Sequence, residues 1–244
     1  MANTLVKKLL SQFDLKDEES FFQLKELLGV AAAGLKNDGS LPEEPSKLSG
    51  FRLAQQCLYE LRSYRKNCTT SGILFKGVPF FFTEKLFREV QDEMKSHRQQ
   101  ALEDRWGQFI SKPGPVIDKF AKSEELRKFV ESYVGCVSDE IACTCIYYDK
   151  PGAQIPPHVD VDNFCVNMNI LIRHEASGEK SSDFILYPIG TSPKKIDYAP
   201  GDSLLFYADS FVHSRTPLTS GETVYAISIG FRPIGEIHKD ERVR

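Results

Sequence analysis

The sequence predicts an α+β fold in which a mainly helical first part packs against a jelly-roll core of about eight β-strands. Two observations predict it. Apolar residues recur at helical spacing before residue 140, and short strand-like runs separated by turn signals follow it. Eight short strands at such spacing are typical of a jelly-roll sandwich or barrel. We expect one domain, with a helical part at 1–140, a core at 141–233 and a polar tail at 234–244.

Helical patterns cover four segments of the first part. Several carry terminal signals, such as acidic residues at the start, glycine or lysine at the end, or Thr83 in an N-cap position. A polar connection at 37–50, rich in Pro, Gly and Ser, and a short strand at 72–77 separate them. The predicted helices span 17–36, 51–67, 83–106 and 123–135.

Eight strand-like runs make up the predicted core. The motifs KPG, SGEKSSD, APGD and TSGE mark turns between them. The runs span 141–149, 154–161, 164–173, 183–189, 194–199, 203–208, 210–215 and 223–231.

Composition and charge argue against several classes of partner. The net charge of −3 and the sequence pI of about 6.0 give no basic surface for nucleic acid. No apolar run approaches the ~18 residues of a membrane span, and the first residues lack the apolar stretch of a signal peptide. None of the six cysteines forms a C-x-x-C pair. We therefore expect a cytoplasmic protein with free thiols, no nucleic-acid partner and no membrane partner. The oligomeric state stays open.

One polar stretch, PPHVDVDNF at 156–164, suggests a metal site. It places His158, Asp160 and Asp162 at alternate strand positions, which share a face. A second strand histidine, His213, follows in DSFVHSRTPL. Two imidazoles and a carboxylate on neighbouring strands can take one face of an octahedral ion, as in the facial triad of non-haem Fe(II) oxygenases. An H-x-D stretch alone is more often a surface strand, so His213 carries much of this interpretation. The other histidines are expected in solvent: His97, His174 and His238.

Residues 141–233 resemble the catalytic double-stranded β-helix of the 2-oxoglutarate/Fe(II)-dependent dioxygenases. The resemblance is carried by HVD (158–160), PGDSLLF (200–206) and HSRTPLTSGETVYAISIGF (213–231). It does not extend in detail over residues 1–140. It implies a double-stranded β-helix core, with Fe(II) bound by His158, Asp160 and His213, and with 2-oxoglutarate and O₂ as co-substrates.

The resemblance also implies a cation for the far carboxylate of 2-oxoglutarate, usually an arginine in bidentate geometry. Many relatives carry a basic residue about ten positions after the second histidine, where this chain has Thr223. Two candidates are left open. Arg215 shares a strand face with His213, and Arg232 lies near the end of the last strand. Thr223 itself could add a hydroxyl hydrogen bond.

Other polar residues are candidates for contacts inside the barrel. Tyr147 and Asn169 are candidates for 2-oxoglutarate binding, because buried amide and hydroxyl groups need partners. Asp162 and Asn167 are candidates for substrate binding, Asp162 through a substrate amine. Trp106, the only tryptophan, could line a lid over the site.

The predicted activity is hydroxylation, or another oxidation, of an unactivated C–H bond in a small polar molecule such as an amino acid or a natural-product intermediate. Because Asp160 is present, oxygenation is favoured over halogenation, and desaturation and ring formation stay open. A peptide or protein side chain is the alternative substrate. Two further alternatives are a non-catalytic jelly-roll binding protein and a cupin-like metal enzyme that does not use 2-oxoglutarate.

Overall fold

The computed structural model describes residues 35–60, 71–160, 162–178 and 181–234, together with single positions before residue 35. Most of the predicted helix at 17–36 and of the tail at 234–244 therefore lies outside the described residues. Leu24 and Leu28 are described, and both are buried.

Each of the eight predicted core runs corresponds to one strand. The observed strands are mostly shorter than the runs, and the strand of the run at 164–173 ends two residues beyond it. Three more strands come from the first part of the chain, one of them within the predicted run at 72–77. In chain order the strands are β1 (Ile73–Gly77), β2 (Leu102–Glu103), β3 (Phe109–Ser111), β4 (Ala142–Tyr148), β5 (Ile155–His158), β6 (Val166–Glu175), β7 (Phe184–Leu186), β8 (Lys194–Ile196), β9 (Ser203–Phe206), β10 (His213–Arg215) and β11 (Thr223–Phe231).

The strands form two antiparallel sheets, as expected of a jelly roll. The large sheet has the order β1-β9-β6-β11-β4-β3-β2, and the small sheet has the order β5-β10-β7-β8. The core strands pass back and forth between the sheets, with β4, β6, β9 and β11 in the large one. The first part of the chain extends the large sheet at both edges, through β1 on one side and β3 and β2 on the other. The eight-stranded jelly-roll core is therefore confirmed.

Four helices precede the core in the described chain. Two start at a capping residue, Thr83 as predicted and also Ser123, whose hydroxyls accept hydrogen bonds from the Leu86 and Leu126 amides. The helices are α1 (Pro45–Glu60), α2 (Glu84–His97), α3 (Pro115–Ala121) and α4 (Glu124–Val134).

The predicted helix at 83–106 is too long, because α2 ends at His97. The chain then turns into the β2–β3 hairpin, whose turn is organised by Asp104. One Asp104 oxygen accepts from the backbone amides of Trp106 and Gln108, at 2.8 and 3.2 Å. Gly107 adopts a φ of +78°, which favours glycine. The local turn therefore overrides the helical spacing of apolar residues in this segment.

Helix α3 is absent from the sequence-based prediction because it is short and depends on a tertiary contact. Pro115 stands in the first turn, where its missing N–H is not needed. The Glu93 carboxylate of α2 accepts from the amides of Val116 and Ile117, at 2.7 and 2.9 Å. A side chain more than 20 positions away in sequence thus caps this helix.

The large sheet separates two apolar clusters. On its outer face α2, α3 and α4 contribute Val90, Met94, Ile117 and Val130, which belong to one cluster with Ile227 of β11. On its inner face, towards the small sheet, a second cluster contains Tyr148, Phe184, Leu186, Leu204 and Phe206. The helices therefore support the sheet from outside, and the space between the sheets stays available for a site.

The described cysteines are free thiols, as expected, and the described residues contain no disulfide. Cys57, Cys145 and Cys165 are buried. Burial raises the pKa of Cys145 to about 12, which fits a packing role. Among the described helices, none is both long and apolar enough to cross a bilayer.

Met94 tests the packing of the helices on the large sheet. Met94→Ala should lower the free energy of unfolding by about 2–5 kcal/mol, because Met94 is fully buried and its loss leaves a cavity. Phe80→Ala is the matched control. Phe80 is 87% exposed, so we expect a change within about 0.5 kcal/mol. Urea unfolding measures both, and equal effects would contradict this packing.

Candidate metal centre

The structure brings His158, Asp160 and His213 together at one end of the space between the sheets. His158 is the last residue of β5 and His213 the first of β10, and the antiparallel pairing sets the two opposite each other. Asp160 lies two residues beyond β5. One Asp160 oxygen, Oδ1, is 3.4 Å from His158 Nε2 and 3.6 Å from His213 Nε2. The three ligand atoms lie within 4.8 Å of one another.

Backbone carbonyls set the tautomers of both imidazoles. His158 Nδ1 lies 2.8 Å from the carbonyl of Pro156, and His213 Nδ1 lies 3.0 Å from that of Phe211. A carbonyl can only accept, so each Nδ1 carries the proton. Both Nε2 lone pairs then face the space beside Asp160, which is the arrangement that metal-binding histidines need.

Asn167 of β6 orients the Asp160 carboxylate. Its amide Nδ2 donates to Asp160 Oδ2 at 2.7 Å and to Ser228 Oγ of β11 at 2.8 Å, and its Oδ1 accepts from Ser228 Oγ at 3.0 Å. The Asp160 backbone amide donates to the carbonyl of Ala208 at 2.9 Å. With Oδ2 and the backbone held, Oδ1 faces the two imidazoles. Asn167 is thus a positioning residue, whereas the sequence had suggested a substrate contact.

The electrostatics of the cluster favour an ionised carboxylate. Burial alone would raise the pKa of Asp160, but His213 and His158 beside it hold that pKa well below its usual range. Burial, together with the neighbouring His158, lowers the pKa of His213. Burial also opposes protonation of His158, but the hydrogen bond to Asp160 outweighs it and raises the pKa of His158. Protons and a cation therefore compete for His158, and cation affinity should fall as the solution is acidified.

The donor set fits Fe(II). Two neutral imidazole nitrogens and one carboxylate oxygen hold that ion without thiolate and leave coordination positions open for other ligands. Aromatic rings flank the cluster, with the Phe206 and Phe184 centroids 4.9 and 5.9 Å from that of His213. These rings restrict water around the ligands.

A cavity of about 170 Å³ adjoins the three side chains. Its walls combine aliphatic and aromatic groups with the amides of Gln108, Asn167 and Asn169. Apart from the triad, no charged side chain lines it among the described residues.

Arg215 lies at the small-sheet side of this region. Its side chain is 3% exposed, and its Nη1 donates to Ser182 Oγ at 3.1 Å. The guanidinium carbon is 5.5 Å from the ring centroid of Tyr148, which lines the cavity. Arg215 also lies close enough to Tyr198 to oppose the rise in the pKa of that phenol on burial. Among the described residues Arg215 has no ion-pair partner, so a buried guanidinium lacks a counter-ion.

Arg232 directly follows the last residue of β11, away from the part of that strand that lies beside the cavity. Of the β4 residues, Thr144, Ile146 and Tyr148 line the cavity, and they pair with Ser228, Ala226 and Val224 of β11. Arg232 follows the opposite end of β11, where its carbonyl accepts from the Ser138 amide at 2.8 Å. Neither arginine lines the cavity itself, but Arg215 lies against Tyr148 of the cavity wall, so the geometry favours Arg215.

Tyr147 and Thr223 need correction, since neither faces the cavity. Side chains alternate along a strand, and the β4 residues that point inward are Thr144, Ile146 and Tyr148. Tyr147 lies on the helix side, where its ring is 4.9 Å from that of Tyr225. Thr223 has the same parity on β11 as Tyr225, so it also faces outward. A one-residue shift in strand register moves a side chain to the other face.

The remaining predicted residues have different positions. Asn169 lines the cavity, and its Oδ1 accepts from the Tyr198 hydroxyl at 2.9 Å. Asp162 begins a short 3₁₀ helix, and its side chain lies outside the described part of the structure. Trp106 lies in the β2–β3 turn, where its carbonyl accepts from the amide of Gln154. Gln108, two residues later, lines the cavity instead.

Sequence reasoning missed several of these partners. Ser182 lies in the turn motif SGEKSSD and Tyr198 in the predicted run at 194–199, but neither pattern predicts a contact with Arg215, which only the folded chain makes. Tyr148 could have been identified from the sequence if the even-numbered residues of β4, and not the odd-numbered ones, had been assigned to the inner face. His174 is not in free solvent, because its Nε2 lies 2.8 Å from the buried carboxylate of Glu222.

Asn167 offers a test of how Asp160 is oriented. Asn167→Ala should weaken binding of a divalent cation by about 10–100-fold, because the carboxylate loses its fixed orientation. Asn169→Ala is the control, since the Asn169 amide bonds Tyr198 and not Asp160. Anaerobic titration with Fe(II) measures both. An unchanged affinity in Asn167→Ala would contradict the assigned role.

Comparisons with known proteins bear on the fold. No family model matches the chain, and no curated protein matches it. Solved structures do match. A prolyl-4-hydroxylase of Pseudomonas putida aligns with a TM-score of 0.56 and 16% identity, over 74% of this chain and 99% of that chain. A prolyl hydroxylase of Trichoplax adhaerens, in complex with a hypoxia inducible factor peptide fragment, aligns with a TM-score of 0.53 and 17% identity. The alignment covers 82% of this chain and 96% of that chain.

A third match is the non-haem α-ketoglutarate-dependent epimerase SnoN from nogalamycin biosynthesis. It aligns with a TM-score of 0.51 and 11% identity, over 73% of this chain and 83% of that chain. At these identities the likeness concerns the fold. The chain therefore has the double-stranded β-helix fold of the 2-oxoglutarate/Fe(II) oxygenases, and a His-Asp-His cluster lies between its sheets.

Proposed function

We propose that this protein is an Fe(II)- and 2-oxoglutarate-dependent oxygenase that hydroxylates, or otherwise oxidises, an unactivated C–H bond. One observation carries the proposal. Two Nε2 atoms and one carboxylate oxygen converge beside a cavity, and behind its wall lies a buried arginine that has no ion-pair partner among the described residues. The first feature suits Fe(II), and the second suits the far carboxylate of 2-oxoglutarate.

His158, Asp160 and His213 would hold the metal. When bound, Fe(II) with 2-oxoglutarate and O₂ supplies the oxidising chemistry. The chain supplies placement. Pro156 and Phe211 fix the imidazoles through their carbonyls, and Asn167 fixes the carboxylate.

Arg215 would bind the far carboxylate of 2-oxoglutarate. It lies two residues after His213 on β10, and two residues of extended strand span roughly 6.6 Å. This spacing suits a five-carbon dicarboxylate that reaches from the metal to the guanidinium. A carboxylate there would also neutralise the buried charge through charge-assisted hydrogen bonds. Tyr198 and Asn169, which are hydrogen-bonded to each other, would line the path between the two ends.

The cavity supports an uncharged reacting group in the substrate, since no charged side chain besides the triad lines it in the described structure. Gln108 adds a polar contact. Its Nε2 donates to the Asp104 carboxylate at 2.7 Å, which cannot donate in return, so the amide orientation is fixed. Its buried Oε1 has no partner in the described structure and would accept an N–H or O–H from a ligand.

A small polar molecule, such as an amino acid or a natural-product intermediate, is the substrate that we favour, and a peptide side chain is the alternative. The similar structures include an epimerase from nogalamycin biosynthesis and a prolyl hydroxylase in complex with a peptide fragment, so they leave both substrate classes open. Desaturation and ring formation stay possible outcomes. The non-catalytic barrel is less favoured, because both imidazoles are held with their lone pairs towards one carboxylate.

The two arginines give a direct test. Arg215→Met should weaken 2-oxoglutarate binding to the Fe(II)-loaded protein by about 100-fold, because a buried bidentate partner is lost. Arg232→Met should leave binding within about twofold, since Arg232 lies away from the cavity. Anaerobic titration, followed by the visible charge-transfer band of keto-acid chelation, measures both. The reverse ranking would reassign the carboxylate partner.

The triad gives a second test. His213→Ala should abolish conversion of 2-oxoglutarate to succinate, because one of three metal ligands is removed. Full turnover in this variant would refute the proposed function. With the parent enzyme, product analysis on a panel of amino acids and a panel of peptides then separates the two substrate classes.

A further inference from the structure

Glu222, in the turn before β11, is a buried carboxylate with an unusually complete set of donors. It accepts from the backbone amide and hydroxyl of Ser182, at distances of 2.7–3.0 Å. It also accepts from the amide and hydroxyl of Thr219, at 2.9 and 3.1 Å, and lies 2.8 Å from His174 Nε2. Burial alone would raise its pKa, but these donors together lower it. The residue is therefore a fixed anion inside the fold.

Ser182 connects this anion to Arg215. A serine hydroxyl has one proton, and a carboxylate only accepts, so Ser182 Oγ donates to Glu222 Oε1 at 2.7 Å. A lone pair of the same oxygen then accepts from Arg215 Nη1 at 3.1 Å. Glu222 thus fixes the orientation of the Ser182 hydroxyl, which leaves a lone pair for Arg215, a side chain that can only donate.

We propose that Glu222 is a positioning residue for co-substrate binding, which acts through Ser182 to hold the Arg215 guanidinium in its binding orientation. The inference rests on the proposed function, because it concerns the arginine assigned to 2-oxoglutarate.

Because Ser182 lies between Glu222 and Arg215, the guanidinium stays free to bind the co-substrate carboxylate. A carboxylate in direct contact with Arg215 would form an ion pair and compete with the co-substrate carboxylate. With Ser182 between them, the Glu222 charge offsets the buried cation from a distance. Only one N–H of the guanidinium is used by Ser182, and the fork geometry leaves others for a bidentate carboxylate.

The experiment compares two keto acids on the Mn(II)-loaded full chain by anaerobic calorimetry. 2-Oxoglutarate reaches Arg215, whereas 2-oxopentanoate has the same carbon chain without the far carboxylate. Ser182→Ala should weaken 2-oxoglutarate binding by about five- to tenfold, the size expected when one ordinary hydrogen bond that orients the guanidinium is lost. Binding of 2-oxopentanoate should stay within twofold. Glu222→Gln should give the same selective loss.

Thr219→Val is the matched control, because it removes a different hydroxyl from the same carboxylate without touching Arg215. In this variant the affinities for 2-oxoglutarate and for 2-oxopentanoate should both stay within twofold of those of the parent protein. Equal weakening of both keto acids in Ser182→Ala would indicate a merely structural role and overturn the inference, as would unchanged 2-oxoglutarate binding. If the parent protein binds 2-oxopentanoate as tightly as 2-oxoglutarate, the assignment of Arg215 and the proposed function fail first.

Discussion

The pairing of β5 with β10 is the constraint on which the site depends. Backbone hydrogen bonds between these short strands set His213 opposite His158, and Asp160 follows two residues later. A one-residue slip would turn one imidazole away from the other. The neighbouring strands reinforce this register, since β10 also pairs with β7 and Asp160 is tied to the connection after β9 through Ala208. The short motif H-x-D therefore acquires its chemistry from the small sheet as a whole.

Among the described residues around the site, the buried carboxylates Asp160 and Glu222 are well partnered, whereas Arg215 has no ion-pair partner. Asp160 lies between two imidazoles, and Glu222 is surrounded by donors. In the described structure the direct partners of Arg215 are neutral, a hydroxyl of serine and the ring and hydroxyl of tyrosines. In a low-dielectric interior, burying a guanidinium without a directly paired anion costs free energy, which an anionic ligand would recover.

Much of the fold could be predicted from the sequence, because alternating apolar residues and turn motifs specify strands locally. The His-Asp-His cluster also follows from spacing, once both histidines are assigned to strands. Two kinds of feature could not be predicted. One is the face of a strand to which a given side chain points, and the other is a contact between segments that are distant in sequence. Tyr147 was placed inside the barrel instead of Tyr148, and α3 depends on Glu93 of another helix. Ser182 and Tyr198 lie in connections whose paths no local pattern specifies.

The contribution of the first part of the chain to the large sheet has a consequence for how the protein can be divided. Strand β1 covers the open side of β9, and β3 covers that of β4. A fragment limited to 141–233 would expose two rows of unpaired amide and carbonyl groups, which are templates for intermolecular strand pairing. The same fragment would uncover Met168, Ile227 and Ile229, on which the helices pack. The segment that carries the motifs is therefore not an independent folding unit. We expect it to aggregate when it is expressed alone.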